Sequence, residues 1–462
     1  MRGKNEKKQC RYDFRVHNKG IAVYGNSNLI MNVMQSLFNL IDMSALRIFS
    51  DDTAVGAVGA CGSLIILCTS LLIGVSAGAN IVVAKRIGAG DKPRADRATM
   101  TAIIFSIIGG IALMIIGVIF AEKFLIMVNC PKSLLAQATL YFRIYFCSVP
   151  FSMFYNFCAS VLRAIGDTKR PMYILLSGGV IKILFTFFFI TAFDMDVAGV
   201  ALSTIICNII TGMLAFFVIL KGQDIVHINF KQIKLDIKEL KEILFVGIPT
   251  GVQSALFSFA NVIITTAVNS FGANATTGIS IANQFDGILY QICNAPSLAV
   301  TPYIAQNAGA GNIKRMKKTF MQAVLITTLF GASFGAVSAI FSEQLSSIMS
   351  STPEVIAYSR QKMIIISSTY FICGINEVLG GTLRGIGRPI APTISTLVFM
   401  CVFRYVWVYA IFPLYPNLTF LYTVWPVGWI LSIITLLVVY FRAMHKMENK
   451  SKVLTKQDYL YL

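Results

Sequence analysis

Apolar runs long enough to cross a bilayer follow one another along almost the whole chain, near residues 21–48, 55–80, 98–121, 138–160, 172–193, 197–220, 244–270, 276–304, 319–341, 360–382, 391–414 and 420–442. Covering roughly 30 Å of hydrocarbon takes about 20 helical residues. A lipid-exposed backbone must satisfy its own hydrogen bonds, and these runs are too long for barrel strands. The sequence therefore predicts an all-α polytopic membrane protein with twelve transmembrane helices. Of its 462 residues 56% are hydrophobic and only 13% charged, against roughly 25% charged in ordinary globular chains. That balance excludes a cytosolic enzyme, a secreted disulfide scaffold and a soluble nucleic-acid binder. The first run is the most polar, with Asn26, Ser27, Asn28, Asn32, Gln35, Asn39 and Asp42.

Net charge of +18 reads as topology. Lys and Arg concentrate in the N-terminal tail, the loops at 85–97, 163–170, 221–241 and 314–318, Arg384, Arg388 and the C-terminal tail. The opposite face holds Arg47, Lys123, Lys132, Arg360 and Lys362, while Arg143, Lys182 and Arg404 fall inside spans. The positive-inside rule puts both termini in the cytoplasm of a cell that carries the chain in its inner or plasma membrane. Basic residues scattered over short loops do not form a nucleic-acid stripe, so no nucleic-acid partner is expected; anionic lipid headgroups are. The N-terminal tail lacks the apolar core and cleavage site of a signal peptide.

Ten cysteines lie mostly in apolar runs without C-x-x-C spacing and read as small core residues. His17, His227 and His445 all fall in charged segments, so no histidine metal site, and no zinc, is expected at membrane depth. Phosphate-loop and H-E-x-x-H patterns are missing from the sequence, and neither an enzyme nor a cofactor is expected.

A self-match at an offset of 221 organises the chain. Arg86-Ile87-Gly88-Ala89-Gly90-Asp91 through Arg94 recurs as Asn307-Ala308-Gly309-Ala310-Gly311-Asn312 through Arg315. Leu162-Arg163-Ala164-Ile165-Gly166 recurs as Leu383-Arg384-Gly385-Ile386-Gly387, and Pro171 as Pro392. Two copies of a six-helix unit follow, and because six is even the repeats are parallel, enclosing a central cleft between two lobes. The expected divisions are a cytoplasmic tail at 1–20, an N-lobe at 21–220, an amphipathic linker at 221–243, a C-lobe at 244–442 and a second cytoplasmic tail at 443–462. Ile233, Ile237, Leu240 and Leu244 among lysines give the linker its apolar face. The glycine loops read as tight turns needing positive φ.

These residues resemble a known family. The loop Ala84-Lys85-Arg86-Ile87-Gly88-Ala89-Gly90-Asp91, the turn Leu162-Arg163-Ala164-Ile165-Gly166-Asp167-Thr168, Gly247-Ile248-Pro249 at the seventh span and Leu383-Arg384-Gly385-Ile386-Gly387 after the tenth are similar to those of the multidrug and toxic compound extrusion (MATE) transporters. The resemblance runs from about residue 25 to 442 and implies a polytopic exporter of small organic compounds, often cationic or amphiphilic, driven by inward proton or sodium flow; a monomer is expected. A lipid-linked oligosaccharide flippase of the same wider superfamily and a non-transporting sensor derived from an exporter are the competing expectations.

Charge is costly in hydrocarbon, so each ionisable group inside a span is a functional candidate. Asp42 matches the family's N-lobe cation-site aspartate, with Asn156 and Thr204 matching its polar members. Such a carboxylate, amide and hydroxyl can carry a proton or hold sodium. In the fifth span Lys182 and Thr186 stand where many members show Asn and Asp, on one face at i, i+4. Lys182 either pairs with Asp42, which favours protons over sodium as the coupling ion, or snorkels to an interface. In the second half Asp286 and Glu377 are expected to face the cleft with Gln253 and Asn261, and Arg404 to neutralise one of the two acids. The seventh span lacks the glutamate that one branch of the family uses there. Pro249 and Pro296, with Pro302 and Pro413, are candidate kinks and gates.

Overall fold

The computed structural model describes residues 52–127, 132–193, 195–221, 234–269 and 271–458, with positions 30, 31, 34 and 38. Asp42 and most of the first span lie outside the described residues. All regular structure among the described residues is helical. The N-lobe contains α1 (Asp52–Gly88), α2 (Lys92–Met127), α3 (Lys132–Ala164), α4 (Lys169–Phe193) and α5 (Val197–Lys221). The C-lobe contains α6 (Ile237–Asn269), α7 (Ala273–Gly309), α8 (Ile313–Ile340), the short α9 (Ser342–Ser347) and α10 (Pro353–Gly385). Its eleventh span alternates α11 (Ile390–Thr396), a π-helical turn Leu397–Val402, α12 (Phe403–Val406) and a second π-helical turn Trp407–Ile411. The chain then passes through the 3-10 turn Phe412–Leu414 to α13 (Leu418–Tyr422) and α14 (Val424–Asp458).

Helix ends account for the glycine pattern. Gly90, Gly166, Gly311 and Gly387 have φ of 71°, 90°, 68° and 82°, a left-handed conformation that costs glycine nothing and other residues much more. The two pairs are each separated by the repeat offset, so the same turn closes the same hairpin in both lobes. Capping repeats with it: Asp91 Oδ1 accepts the Arg94 N–H at 3.2 Å and Asn312 Oδ1 the Arg315 N–H at 3.0 Å, satisfying an otherwise orphaned amide at each helix start.

Nine helices among the described residues are long and apolar enough to cross a membrane. The equally long α6 and α7 are more polar because they carry Gln253, Ser254 and Asn261 and then Asn283, Gln284 and Asp286. Two boundaries shift from expectation. Residues 237–243, assigned from sequence to the linker, form the first turns of α6, and 222–233 lie outside the described residues. The tenth span starts at Pro353, a residue suited to the first helical position, so Lys362 lies inside a helix and not on the outer face where its charge had placed it.

The lobes meet where α1 runs antiparallel to α6. Gly74 and Gly78 of α1 face Gly251 and Gly247 of α6, the small-xxx-small arrangement that lets two backbones touch. A Cβ on Gly247 would lie 2.6 Å from Val75 Cα, whereas one on Gly287 would meet nothing within 4 Å. Gly88 likewise abuts Gln306 of α7, and Gly309 abuts Lys85. Gly247→Leu is therefore expected to lower the unfolding temperature of the detergent-purified chain, overpacking costing about 1–3 kcal/mol. Gly287→Ala should leave it unchanged or raise it, and a thermal-shift assay compares the two.

Candidate functional site

Cores differ between the lobes. In the N-lobe one continuous apolar cluster runs from Ala57 through Phe142, Met153 and Phe157 to Ile219, and Ile243, Val246 and Ala305 of the C-lobe join it. In the C-lobe the apolar side chains fall into separate clusters, one around Leu421 and Tyr422, one around Tyr370 and Trp429, and one around Leu379 and Tyr440. Polar and charged groups occupy the levels between them: Asp286, Lys362 and Arg404 above the middle cluster, Glu377 and Arg384 below it.

The upper level is built from four helical elements. Asp286 Oδ2 of α7 accepts from Lys362 Nζ of α10 at 2.8 Å, and the ammonium also donates to Asn283 Oδ1, one turn before Asp286. Lys362 is 2% exposed, and removing either member of such a pair would leave an uncompensated buried charge. From α12, Arg404 donates through Nη1 to Asn261 Oδ1 of α6 at 2.9 Å, and its Nη2 lies 3.6 Å from Met400 Sδ. The sequence placed Arg404 against Asp286 or Glu377, and the structure corrects that pairing: the cation on Asp286 is Lys362, because Arg404 approaches from the eleventh span and meets α6 first. The π-helical turns on either side of Arg404 shift the helix register there, a distortion common at functional positions. At the lower level Arg384 Nη1 donates to Gln253 Oε1 at 2.8 Å and is the cation within electrostatic reach of Glu377. The Glu377 carbonyl accepts from Ser297 Oγ at 2.7 Å.

Sequence reasoning missed Lys362 because it stands at the edge of its apolar run, and Arg384 because it is in the last turn of α10, both places where a basic residue ordinarily reaches water. Ser432, which donates to Asn376 Oδ1 at 2.6 Å and shares a hydrogen bond with Ser395 at 2.7 Å, was missed too; a lone serine in an apolar run carries no signal. Pro249 and Pro296 both lie inside helices, as expected. The Pro249 carbonyl accepts from Thr393 Oγ1 at 2.9 Å. Pro150 of α3 is a further internal proline.

The N-lobe candidates are only partly gathered. Thr186 is buried and its hydroxyl pairs with that of Ser203 at 2.7 Å, bringing α4 against α5. Thr204 Oγ1 donates to its own helix at the Val200 carbonyl, 2.9 Å away, and Asn156 Nδ2 to the Ser152 carbonyl at 2.8 Å. Lys182 is half-buried one turn from Thr186, and Phe38 packs on Gly179, on the same helix. Asp42 lies outside the described residues, as does any sodium site there. No group of three or more His, Cys, Asp or Glu suited to a metal occurs among the described residues.

At the Lys/Arg-rich end, ion pairs tie the lobes together. Arg86, at the end of α1, reaches Glu239 at 3.1 Å and Glu242 at 2.8 Å on the first turns of α6. Nearby, Arg97 approaches Asp236 at 3.8 Å, the Asp236 N–H donates to Thr101 Oγ1 at 3.0 Å, and Gln306 Nε2 donates to the Ala164 carbonyl at 2.6 Å. Arg86 and Glu239 are 13% and 5% exposed at their side chains, unlike the open pairs Arg94–Asp91 and Arg170–Asp167, so this contact is screened far less than a surface bridge.

Two helical lobes with a polar, charged interior in one of them define a multi-pass membrane transporter class. The MatE family model matches residues 28–188 and 249–410, one stretch in each lobe, and the chain belongs to that family. It is 26% identical over 376 residues to the probable multidrug resistance protein YoeA of Bacillus subtilis, covering 80% of this chain and 81% of that protein. The fold is similar to an outward-facing multidrug resistance MATE transporter of the MOP superfamily, with a TM-score of 0.84 at 20% identity over 94% of this chain and 97% of that one. It is equally similar to a MOP superfamily transporter from Pyrococcus furiosus described as having a binding pocket of reverse polarity, with a TM-score of 0.83 at 20% identity over 93% and 96% of the two chains.

Lys362→Met is expected to destabilise the protein by about 3–5 kcal/mol by stranding Asp286, while Lys362→Met with Asp286→Leu recovers most of the loss. Thermal unfolding of the single and double variants in one detergent checks this; equal destabilisation by both would mean that packing, not charge, dominates.

Proposed function

We propose that this chain is an ion-coupled exporter of amphiphilic organic compounds that works by alternating access, with no catalytic activity and no bound cofactor. One observation carries the reading. The lobes are joined through Arg86, Glu239, Glu242 and the glycine contacts along the Lys/Arg-rich half, while Asn261, Asn283 and Gly287 in the other half of the C-lobe are exposed. Asp286 lies about 20 Å along α7 from its start at Ala273, at 1.5 Å per residue, and so well inside the hydrocarbon depth. A polar face open at that depth needs water or solute beside it, since lipid tails would leave its groups unsatisfied. The Lys/Arg-rich end is the cytoplasmic one by the positive-inside rule, so the arrangement reads as a gate closed inside and a cleft open outside, in the cell membrane, with both termini cytoplasmic.

Protons are the favoured coupling ion, with sodium at Asp42 the alternative. A carboxylate that shares a buried site with an ammonium changes its pairing when a proton arrives, and Asp286 with Lys362 offers that chemistry in the C-lobe. Asp42 with Lys182 offers it in the N-lobe on the family resemblance. The protein name multidrug resistance for its relatives supports export of varied organic solutes, and the chain's 34 Phe and 18 Met suit a deformable apolar cleft.

The experiment loads a fluorescent amphiphile into proteoliposomes and imposes a proton gradient and a sodium gradient in turn, with Asp42→Asn and Asp286→Asn as variants. Proton-driven efflux is expected, abolished by one or both substitutions. No flux under either gradient from folded protein would sink the reading and favour a flippase or a sensor. For the gate, Arg86→Glu is expected to reduce transport, and adding Glu239→Arg and Glu242→Arg to restore a large part of it; a triple variant no better than the single one would show that the ion pairs do not hold the closed end.

A further inference from the structure

Two cations share one aromatic platform in the C-lobe. Lys362 Nζ lies 5.7 Å and the Arg404 guanidinium carbon 5.3 Å from the centre of the Trp425 ring. Their electrostatic situations differ. Lys362 is matched by Asp286. Arg404 is fully buried and has no carboxylate within ion-pair distance among the described residues; its acceptors are a neutral amide and a thioether. Its Nε has no acceptor among the described residues.

Unpartnered donors are also found in the two adjoining clusters: among the described residues Trp407 Nε1, Trp429 Nε1 and Tyr422 OH are buried without a hydrogen-bond partner, and so is the acceptor Asp286 Oδ1. Buried donors left unmade are expensive, and native proteins keep few of them without a reason. The level also has an opening: Asn261 and Asn283, which hold the two cations, are exposed, and Gly287 beside Asp286 faces open space. Phe257, 6.0 Å from the guanidinium, supplies a second aromatic face. An excess cation with a free N–H, set behind a polar mouth and between aromatic rings, is complementary to an anion attached to an apolar body.

We propose that Arg404 binds an anionic group of the exported compound, a carboxylate or phosphate on an aromatic or otherwise apolar body that lies against Trp425 and Phe257. This deepens the exporter reading and rests on it. It also changes the expected selectivity: the charge of Asp286 is matched by Lys362 and Arg384 lies within electrostatic reach of Glu377, whereas Arg404 has no carboxylate within ion-pair distance among the described residues.

Binding can be read without transport, because all three tryptophans of the chain, Trp407, Trp425 and Trp429, lie in the C-lobe and Trp425 lies against the guanidinium. The full-length protein in phosphatidylcholine nanodiscs is titrated with 2-naphthoate, naphthyl phosphate, the neutral 2-naphthamide and 2-naphthylmethylammonium while tryptophan fluorescence is followed. The two anions are expected to bind at least about tenfold more tightly than the amide and the ammonium, and Arg404→Gln to lose about tenfold or more in anion affinity with Arg404→Lys intermediate. Equal or tighter binding of the ammonium to the unaltered protein would overturn the proposal, as would unchanged naphthoate affinity in a folded Arg404→Gln. The ligand series on the unaltered chain decides the matter even where Arg404→Gln does not fold. Repeating it in phosphatidylglycerol nanodiscs separates solute from lipid: retained naphthoate affinity supports an exported anion, and its loss would overturn that in favour of a lipid headgroup. Naphthoate that binds but is not exported under either gradient would leave the site standing and sink the exporter reading instead.

Discussion

A guanidinium buried with no carboxylate in ion-pair distance among the described residues is the constraint around which the C-lobe is arranged. Moving such a charge out of water costs several kcal/mol even after relaxation, and Arg404 is 0% exposed. What offsets that cost is indirect: the Asn261 amide, the Met400 sulfur, and the faces of Trp425 and Phe257. They come from three places in the chain, so α6, the eleventh span and the start of α14 must converge on one point. The interruption of the eleventh span by π-helical turns on both sides of Arg404 follows from the same demand, since a regular helix there would hold one fixed register. The split of the C-lobe core into separate apolar clusters is the corresponding packing result.

Symmetry makes the contrast between lobes informative. The repeat offset maps α1 through α5 onto the C-lobe spans and reproduces both left-handed glycine turns, Gly90 with Gly311 and Gly166 with Gly387, and the cap at the first of them. It does not reproduce the interior. Lys182 of α4 and Arg404 of the eleventh span stand in equivalent spans one residue off the offset, yet the N-lobe core is a single apolar cluster and the C-lobe core is layered. Hairpin geometry is dictated by local backbone sterics that both copies must obey. Interior chemistry has no such local dictate and is where duplicated halves are free to diverge.

The same distinction explains what could be read from sequence. Twelve spans, parallel repeats and left-handed glycine turns are encoded within windows of a few tens of residues, by apolar length and by the intolerance of positive φ, and they were legible. Asp286 and Glu377 were legible as acids within spans because an acid facing lipid from the middle of an apolar run would be too costly to keep. Their partners were not. Lys362 is followed by Met363-Ile364-Ile365-Ile366 and preceded by Arg360 and Gln361, so it has the appearance of an ordinary boundary lysine, and only the start of α10 at Pro353 moves it inside. Arg384 has the appearance of a loop residue for the same reason at the other end of that helix. Which cation meets which acid depends on helix rotation and on contacts far apart in sequence, such as Lys362 with Asn283 and Arg384 with Gln253, and no local pattern records them.

Charge placement also links the two ends of the molecule. The buried pair formed by Arg86 with Glu239 lies at the start of α6, and the bond from Arg404 to Asn261 lies toward the end of the same helix. Between them Gly247 and Gly251 allow α6 to touch α1, and Pro249 removes one backbone hydrogen bond from the middle of the contact. A helix gripped by charge at both ends and weakened between them can bend without breaking either grip. Occupation of Arg404 by an anion would compete for the guanidinium with Asn261 and so loosen one end of α6, while the other end holds the lobes together. Under the proposed exporter reading, solute binding and gate position would then act on one helix.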